Sequence, residues 1–570
     1  MSEIAALVAD NLDIWTGAIE RKSGAGRGGG KRISLYGIDR LRALILDLAV
    51  RGKLVPQEAE DEPASELLKR VDKNRARTFP KLKTAPNPIS ANTNTVTPQG
   101  WETVRLDRLA NSQAGFAFKS KGFNEVDAGL PLIRIRDVGQ PFTGTFYAGE
   151  YREEFVVTEG DYLISMDGEF RVATWPGPDA LLNQRVSRLQ FYGEQTSQAF
   201  VAMVLQRELK KLEGVKAYTT VDHLSGKQIS ETNIVLPPLA EQQRVVAKVN
   251  ELTALCDALE RESAGAMAAH QALVEILLAT LVNSADATDL ARDWARLERH
   301  FDTLFTTDAS IDALKQTILD LAVRGKLVEQ DARDEPAPML LKRIAEEIAD
   351  FCAENRITTA RTDRIEPAQL LFDVPDGWAW SRLAGIFKVI TDGDHQPPPK
   401  ADQGVAFLTI GNVTTGKLAF DGCRLVPESY FKALAKYRTP RQGDILYTVV
   451  GATYGRPALV ETDRDFCVQR HIAILKPSAS MDVRYMVVLL SSPVAYRQAS
   501  EGTTGSAQPT IALRPLRNFL VPIPPLAEQR RIVAKVDALM ALCDALKARL
   551  AEAAQTQRHL ADAITQRAAA

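Results

Sequence analysis

At 570 residues the chain is too long for a single hydrophobic core, so several domains are expected. Its apolar content of 45%, charged content of 25% and net charge of −2 are ordinary for a soluble globular protein, and no global basic excess indicates nucleic acid. Five scattered cysteines without a CxxC pair favour a reducing compartment. We find neither a signal peptide nor an apolar stretch of membrane-spanning length, which predicts a cytoplasmic protein without a membrane partner.

The N-terminal hundred residues predict helices and a linker. Residues 4–21 have apolar side chains near helical spacing, and residues 36–72 predict two helices separated by a turn at Arg51-Gly52. Residues 80–99 are rich in Pro, Asn and Thr and predict a linker. The run from Gly24 to Gly29 fits GxGxxG, but no strand precedes it, which favours a flexible segment over a phosphate contact.

Residues 101–236 predict a mixed α/β domain with several strands, because short apolar runs alternate with Gly, Pro and Asp. The runs are Pro131–Arg136, Asp161–Ser165, Val186–Phe191 and Ala199–Leu205. This domain holds 15 Lys and Arg against 18 Asp and Glu, whereas residues 378–523 hold 17 against 11. Only the second of these two domains therefore has a basic excess.

Two long helices follow these domains, each beginning just after a Pro-Pro pair, where a missing N–H costs nothing. Their apolar residues repeat at 4-3 spacing, as in the seam of a coiled coil: Val245, Val249, Leu252, Cys256 and Leu259, and Ile532, Val536, Leu539, Cys543, Leu546 and Leu550. A helix of ~40 residues is a rod of roughly 60 Å. One such rod cannot bury its apolar stripe alone, so the two are expected to pack on each other.

The chain contains a long internal repeat. Residues Ile45 to Val55 return unchanged as Ile318 to Val328, and Pro237-Pro-Leu-Ala-Glu-Gln242 returns as Pro524 to Gln529. We call Ile45–Val55 and Ile318–Val328 the first and second anchors. The domains between these repeats are distantly alike, sharing the Gly-Asp-x-Leu of Gly160 and Gly443 and a later Gln-Arg pair. The pattern indicates a domain duplication in which the same helical scaffold occurs twice, each time with a different variable domain.

The predicted organisation has five parts. They are a helical region with the first anchor and a linker (1–100), a first variable domain (101–236), a central long helix with the second anchor and a linker (237–377), a second variable domain (378–523) and a C-terminal long helix (524–570). The predicted fold class is α+β, with two mixed α/β domains separated and joined by long antiparallel coiled-coil helices in a pseudo-twofold internal repeat.

The motifs described above, taken in order along the chain, resemble those of a known protein family. The chain resembles the specificity subunit of type I restriction-modification enzymes over nearly its whole length. The matching segments are Asp13–Ala18, Tyr36–Ile38, Leu48–Gln57, Asn183–Arg185, Asp392–His395, Gly443–Leu446, Gly505–Pro509 and both copies of Pro-Pro-Leu-Ala-Glu-Gln.

The resemblance implies two target-recognition domains, each reading one half of a split double-stranded DNA sequence. It also implies that the helices hold these domains at a fixed separation, that two modification (methyltransferase) subunits dock on the helical regions, and that restriction (translocase-nuclease) subunits then join. No cofactor is expected in this chain, since S-adenosylmethionine, ATP and Mg are expected on the partner subunits.

Physical reasoning agrees in outline with this implication. A rigid rod between two readers fixes the half-site spacing, because both sites bind together only at a matched span. Readers that have diverged on a shared scaffold should recognise unlike half-sites, so the target is expected to be asymmetric.

Base edges are read mainly by Arg, Lys, Asn and Gln. Candidate DNA contacts in the first domain are Phe118, Lys119, Arg134, Arg136, Phe170, Arg171, Gln184 and Arg185. Those in the second are His395, Gln396, Tyr454, Arg456, Gln469, Arg470 and Gln508. Arg134 and Arg136 alternate with isoleucines, so we predict that they share one face of a strand. The alternative for each residue is a turn-stabilising or solvated role.

Two further motifs have competing interpretations. Asp392-Gly-Asp-His395 fits no standard metal spacing, which favours a polar turn facing DNA. The pairs that open the long helices, Glu241 and Gln242 and then Glu528 and Gln529, are candidates for subunit docking. The alternative is helix capping, since an acid suits a helix N-terminus.

Catalytic motifs are missing from the sequence. We find no Asn/Asp-Pro-Pro-aromatic loop of a base methyltransferase and no complete P-loop of a translocase. A non-catalytic DNA-recognition subunit is therefore the predicted function. A bivalent protein-binding scaffold and a single-chain restriction enzyme stay as alternatives.

Overall fold

The computed structural model describes residues 3–22, 32–79, 98–194, 196–213, 223–284, 287–394, 398–505 and 508–569. These residues form two compact units. Unit 1 comprises residues 1–265 and 553–570, and unit 2 comprises residues 266–552. Each unit therefore combines one variable domain with one anchor and with parts of both long helices.

The first residues of unit 1 form helices around a buried tryptophan. The elements are α1 (Glu3–Asp10), α2 (Leu12–Gly17), β1 (Glu20–Lys22), β2 (Arg32–Ser34), α3 (Tyr36–Val50) and α4 (Ala64–Thr78). The segment predicted as one helix over 4–21 is thus two short helices and a strand. Trp15 is fully buried, and the close approach of Gly37 to its backbone leaves no room for a Cβ.

The first variable domain is built on two sheets. Its elements are β3 (Glu102–Arg105), β4 (Ala110–Ala114), β5 (Phe123–Asn124), β6 (Leu130–Ile133), β7 (Phe146–Tyr147), β8 (Val156–Val157), β9 (Tyr162–Ser165), β10 (Val172–Thr174), β11 (Ala180–Leu182), β12 (Val186–Phe191), α5 (Gln198–Lys210), α6 (Gly226–Ser230) and β13 (Asn233–Leu236). The sheet orders are β10-β9-β12-β4 and β5-β7-β6-β11-β8. The first and last strands, β3 and β13, pair antiparallel and close the domain.

The run Ala199–Leu205 is helical rather than extended. It lies in α5, whose N-cap Ser197 accepts a hydrogen bond from the backbone N–H of Phe200. An apolar run of seven residues fits a buried helix as well as a buried strand, so the capping serine decides between them.

The helical scaffold and the second variable domain follow. The scaffold consists of α7 (Leu239–Val282), α8 (Ala287–Arg299), α9 (Phe301–Leu304), α10 (Asp308–Val323) and α11 (Ala337–Asn355). The domain consists of β14 (Ala379–Arg382), β15 (Phe387–Asp392), β16 (Val405–Leu408), β17 (Arg424–Val426), α12 (Glu428–Ala433), β18 (Ile445–Thr448), β19 (Pro457–Leu459), β20 (Phe466–Val468), β21 (Ile472–Pro477), α13 (Val483–Ser491), α14 (Pro493–Glu501), β22 (Thr503–Thr504), β23 (Thr510–Ile511), α15 (Leu513–Arg517) and β24 (Leu520–Ile523). The chain continues into α16 (Leu526–Ala569).

The second domain repeats the plan of the first. Its four-stranded sheet has the order β15-β21-β18-β19, which corresponds to β4-β12-β9-β10. In each domain a parallel pair lies in the other sheet, β6 with β11 and β16 with β20. The strands β14 and β24 close this domain as β3 and β13 close the first. The predicted α+β fold with a duplicated α/β domain is therefore confirmed.

The two long helices, α7 and α16, have 44 residues each. Their predicted seam is buried at Val245, Val249, Leu252 and Cys256 in unit 1, and at Ile532, Val536 and Cys543 in unit 2. One window of α7 is long and apolar enough, by length and composition alone, to cross a membrane, which corrects the earlier exclusion. Val274, Leu278 and Leu281 of that helix pack into the core of unit 2.

The repeated Arg-Gly-Lys of each anchor holds the end of a long helix. Lys326 Nζ donates to the carbonyl oxygens of Val282 and Ser284, over 2.8 and 2.9 Å, at the end of α7. Arg51 donates to the carbonyl oxygen of Ala569 over 2.9 Å at the end of α16. Helix ends carry unpaired carbonyls and a partial negative charge, so cations there stabilise both helices.

Candidate nucleic-acid interface

Three loops meet at one end of the four-stranded sheet in the first domain. They are residues 115–121 after β4, residues 166–171 between β9 and β10, and residues 183–185 before β12. The N–H of Phe116 donates to the carbonyl of Leu182 over 2.9 Å, and the N–H of Met166 donates to that of Arg185 over 3.0 Å. These backbone contacts fix the three loops to one another, and we call this end of the sheet the first loop edge.

Arg185 lies at the centre of this edge in a cluster that the sequence did not indicate. Its Nε is 3.3 Å from Asp167 Oδ2, and the other oxygen of that carboxylate contacts His223 Nδ1 at 2.8 Å. The side chain of Arg185 is 59% exposed, whereas that of Asp167 is 13% exposed. The largely buried carboxylate thus orients one arginine and one histidine toward solvent, and Gln184 beside them is also exposed. A backbone bridge between residues 167 and 223, 56 positions apart, brings the pair together, so no local pattern could predict it.

Two aromatic candidates in this domain are corrected by their burial. Phe118 is 8% exposed and packs its ring 4.8 Å from that of Tyr147. Phe170 is 2% exposed, and its backbone is held by Gln206 and Glu213. Both rings are core residues that support the loops. The neighbouring Lys119 is exposed, and Arg171 is half-buried with its guanidinium paired to Glu169.

Arg134 and Arg136 do not alternate along a strand as predicted, because β6 ends at Ile133. The carboxylate of Asp137 accepts the backbone N–H groups of Arg134 and Thr143, over 2.8 and 2.9 Å, and turns the chain. Arg136 is exposed and donates to the hydroxyl of Thr143 over 2.9 Å. The two arginines therefore lie on a short turn and share no sheet face.

The second domain has a matching loop edge, formed by residues 392–394, 449–456, 469–471 and 508–510. A parallel bridge joins residues 394 and 469, as one joins 116 and 183 in the first domain. Residues 450 and 510 are bridged, as 167 and 223 are. His395 and Gln396 lie outside the described residues.

Tyr454 and Arg456 lie on the loop of the second edge that joins β18 to β19. The ring of Tyr454 stacks on that of Tyr496, with centroids 5.6 Å apart and planes within 2°. Arg456 is exposed and donates to the carbonyl of Thr414 over 2.8 Å. These residues line an open cavity of about 480 Å³ together with Gly455 and Gln316. Such a stack offers a flat aromatic and cationic surface of the kind that nucleotides contact.

The Gln-Arg pair occupies the same place in both domains. Gln469 Nε2 lies 3.0 Å from His471 Nδ1, and Arg470 Nε lies 3.2 Å from His471 Nε2. Burial and the charge of Arg470 lower the pKa of His471, which favours the neutral imidazole, in which one ring nitrogen accepts a hydrogen bond and the other donates. Arg470 and Gln508 are exposed, so both remain candidates for base contacts.

The residues predicted to dock subunits are instead buried in joints that hold each domain to its helix. Glu241 and Gln242 are 1% and 0% exposed, and Glu528 and Gln529 have the same values. Gln242 Oε1 accepts the backbone N–H of Ser197, and Gln529 Oε1 accepts that of Asp482, over 2.8 and 3.0 Å. Ser197 and Asp482 are the N-caps of α5 and α13. The glutamines therefore join the long helices to the domains, and the docking prediction is wrong because no partner can reach these side chains.

Each glutamate accepts an indole N–H at the start of its domain. Trp101 Nε1 donates to Glu241 Oε2 over 2.9 Å, and Trp378 Nε1 donates to Glu528 Oε2 over 3.0 Å. Burial raises the pKa of both carboxyls from the ordinary value of 4.5. We call these two contacts, with the glutamines beside them, the first and second joints.

The anchors complete the joints. Gly52 and Gly325 have φ values of +68° and +71°, and a Cβ on either would lie 3.1 Å from the adjacent tryptophan ring. Only glycine fits that turn and that distance without strain. The segment just after each anchor adds an ion pair to the long helix, Asp61 with Arg244 and Asp334 with Arg531, each over 2.6 Å. The same three segments thus meet in both units.

The shared Gly-Asp-x-Leu motif is structural. Gly160 and Gly443 have φ values of +89° and +88°, and the next aspartate accepts a backbone N–H three residues earlier. Asp444 is buried against Lys476, whereas Asp161 lies 3.2 Å from Arg188. The motif therefore fixes a turn at the end of the sheet opposite the loop edge.

The described part of the chain contains no group of three or more His, Cys, Asp or Glu residues that could hold a metal ion. In the second loop edge, Asp394 instead accepts the hydroxyl of Tyr430 over 2.8 Å, and Asp392 pairs with Arg438 at 3.0 Å. Both aspartates therefore stabilise the turn.

Comparison with known proteins gives one consistent family. A family model described as the type I restriction modification DNA specificity domain matches residues 98–264 and again 375–555. The EcoAI specificity subunit of Escherichia coli, a type I restriction enzyme subunit, is 32% identical, covering 99% of both chains. The EcoEI specificity subunit of the same organism is 33% identical, also over 99% of both. A solved chain from work on complex assembly and conformational transition of the type I R-M system is 19% identical, with a TM-score of 0.44, over 83% of this chain and 98% of that one.

Proposed function

The chain belongs to the family of type I restriction-modification specificity subunits, and from that membership we propose that its two loop edges read the two unlike halves of one split DNA target. It is the non-catalytic specificity subunit of a type I complex, with two repeated target-recognition domains. Its partners are DNA and the modification and restriction subunits. The earlier scaffold and single-chain enzyme alternatives have no observation in their favour.

The observation that carries the proposal is a matched backbone with unmatched side chains at the two loop edges. The bridged pair Asp167 and His223 in the first domain corresponds to Val450 and Thr510 in the second. The charged cluster on one edge is thus replaced by apolar and hydroxyl groups on the other, while Gln-Arg is kept on both. Readers with unlike donors and acceptors should prefer unlike base sequences.

Charge distinguishes the two readers further. The basic excess of the second domain suits phosphate contacts, which depend strongly on salt. The acidic first domain needs its exposed cations concentrated at the loop edge, where Lys119 and Arg185 lie. We expect the second half-site to contribute more of the salt-dependent binding energy.

Exposed leucines on the long helices support two equivalent docking surfaces for modification subunits. Unit 1 exposes Leu255 by 42% and Leu560 by 45%, and unit 2 exposes the repeat-equivalent Leu542 by 67% and Leu273 by 49%. Exposed apolar side chains that recur at equivalent positions of a duplicated scaffold suit two copies of one partner. The stoichiometry we propose is two modification subunits for each specificity chain, joined by restriction subunits.

The chemistry is assigned to these partners. Under the proposal, S-adenosylmethionine, ATP and Mg bind the modification and restriction subunits, and no cofactor binds this chain. The assembled complex methylates or cleaves DNA in the cytoplasm.

Methylation mapping in cells with and without the gene tests the proposal. We expect one asymmetric split motif that disappears on deletion and returns on complementation. An unchanged methylome in cells that express the partner subunits contradicts it.

A further inference from the structure

The first domain contains an open groove that lies outside the first loop edge. Its volume is about 880 Å³, and its walls are formed by aromatic and proline side chains, notably Phe142, Phe146, Trp175 and Pro178. The ring of Phe142 meets those of Phe146 and Trp175 edge-on, with centroids 5.5 and 5.9 Å apart. Trp175 donates from Nε1 to the carbonyl of Pro178 over 2.7 Å, which fixes the wall.

The groove lies at the far end of the sheet from the loop edge. Its residues 158–159 precede β9 and its residues 175–179 follow β10, whereas the loop between these strands belongs to the loop edge. A ligand in this groove therefore leaves the first loop edge accessible.

The rim of the groove is negatively charged. Asp127, Glu159 and Asp179 line it, are exposed, and have no basic partner among the described residues. Asp127 has a φ of +58°, in the left-handed region that few residues other than glycine adopt. Three unpaired carboxylates repel DNA phosphates and attract cations on a polypeptide.

The second domain does not share this chemistry. The backbone N–H of Trp175 donates to the carbonyl of Asp161, and that of Val460 donates to Asp444 in the same way, so valine replaces the tryptophan. By the same register Gln442 corresponds to Glu159. Asp465, which corresponds to Asp179, is already paired with Arg441.

We propose that this groove docks an extended, basic segment of a partner protein, once for each specificity chain. Grooves lined by aromatic rings bind extended segments through apolar and proline side chains, and acidic rims select neighbouring Arg or Lys. Because the second domain has Val460, Gln442 and a paired Asp465 at the equivalent positions, we expect the basic segment to bind the first domain and not the second. The proposed docking is a role separate from DNA reading. It rests on the proposed function in one respect only, namely that the partner is a subunit of the same complex.

Site-specific photocrosslinking in the assembled complex tests the proposal directly. The full chain carries p-benzoylphenylalanine in place of Phe142, and a control carries it in place of the exposed Leu371. We expect a crosslink from position 142 to an Arg- or Lys-containing segment of a modification or restriction subunit, mapped by mass spectrometry. A crosslink to DNA or to a second specificity chain, or none above the control, overturns the proposal.

Charge reversal supplies the matched comparison. Glu159→Lys with Asp179→Lys should abolish that crosslink and weaken binding of the crosslinked subunit by about tenfold or more, since like charges then meet at the rim. The control pair, Glu153→Lys with Glu194→Lys, makes the same change in net charge away from the groove. It should leave the crosslink and the binding of the crosslinked subunit unchanged. The neutral pair Glu159→Gln and Asp179→Asn gives an intermediate loss if charge is the cause.

DNA binding separates this proposal from the function proposed above. The groove variants should still bind both DNA half-sites in a binding assay, because none of the substituted residues lies at the first loop edge. If they bind the partner like the parent chain, the groove proposal fails while the reading of DNA stands. If the parent chain binds no specific DNA, the proposed function fails by itself.

Discussion

Trp378 donates a hydrogen bond from its indole Nε1 to Glu528 Oε2 over 3.0 Å, and both side chains are nearly inaccessible to solvent. The contact joins the residue before the first strand of the second domain to the first turn of α16. Trp101 and Glu241 make the equivalent contact in unit 1. The joint therefore explains why two segments far apart in the sequence are repeated together.

Removing the indole donor should loosen the second joint. Trp378→Phe leaves a buried carboxyl oxygen without its N–H partner, which costs about 1–3 kcal/mol. We expect a lower thermal midpoint and unchanged recognition of the second half-site sequence. Trp380→Phe is the control, because the indole N–H of Trp380 is buried without a hydrogen-bond partner. Equal loss in both variants contradicts a specific role for the contact.

The buried glutamates should make stability fall as pH rises. Burial raises the pKa of Glu528 above its ordinary 4.5, so the unfolded chain releases this proton at lower pH than the folded chain. Its contribution is complete below about pH 4.5 and is lost as pH rises through the folded-state pKa. Glu528→Gln keeps an acceptor for the indole and removes the titration.

Denaturant unfolding at a series of pH values checks this expectation. The stability of Glu528→Gln relative to the parent should increase from pH 4.5 upward and then level off. Glu241→Gln should behave in the same direction, since burial also raises the pKa of that carboxyl. A difference that stays constant across this range contradicts the burial argument.

Arg470→Ala should reduce the sequence specificity of binding at one half-site only. The exposed guanidinium belongs to the second loop edge, and loss of one base contact typically costs about 1–3 kcal/mol, or about 5-fold to 150-fold in affinity. Binding to a panel of single-base variants measures the effect at each position. Arg464→Ala, which removes an exposed arginine that lies over Phe420, should leave affinity and sequence preference unchanged. A uniform loss at both half-sites argues against base reading.

Leu255→Asp should release one modification subunit and Leu542→Asp the other. These exposed leucines are repeat equivalents, so each substitution places a carboxylate on one of two like surfaces. Native mass spectrometry of the reconstituted complex counts the subunits. Leu370→Asp, at an exposed leucine outside both helices, is the control. Two bound copies in the double variant Leu255→Asp, Leu542→Asp rule out docking through these residues.

Sequence periodicity predicted the duplicated scaffold because its apolar seam and its anchors are local patterns. The anchor that contains Gly325, for example, could be located because its sequence repeats. Its role in the second joint could not be predicted, because that role depends on the ring of Trp378, which lies 53 residues later. Glu241 and Glu528 looked like surface acids at a helix start. They are buried because a distant indole supplies their hydrogen bond, and pattern alone does not record such pairings.

The candidate site was predicted less completely. The Gln-Arg pair was found because it is shared, and Arg185 and Arg470 are indeed exposed at the loop edges. Phe118 and Phe170 were chosen as aromatic residues in loops, but burial decides their role. Asp167 and His223 were missed because a bridge between distant residues creates their cluster.

An exchange of the second domain tests whether each domain reads one half-site independently. Residues 378–523 are replaced by the corresponding domain of another family member that has a tryptophan at the position of Trp378, so that the indole contact with Glu528 is retained, and methylation is mapped across the genome. We predict that one half of the split motif changes while the other half and the spacer length stay the same. A change in both halves, or in neither, would show that the two domains are not independent readers held by a common scaffold.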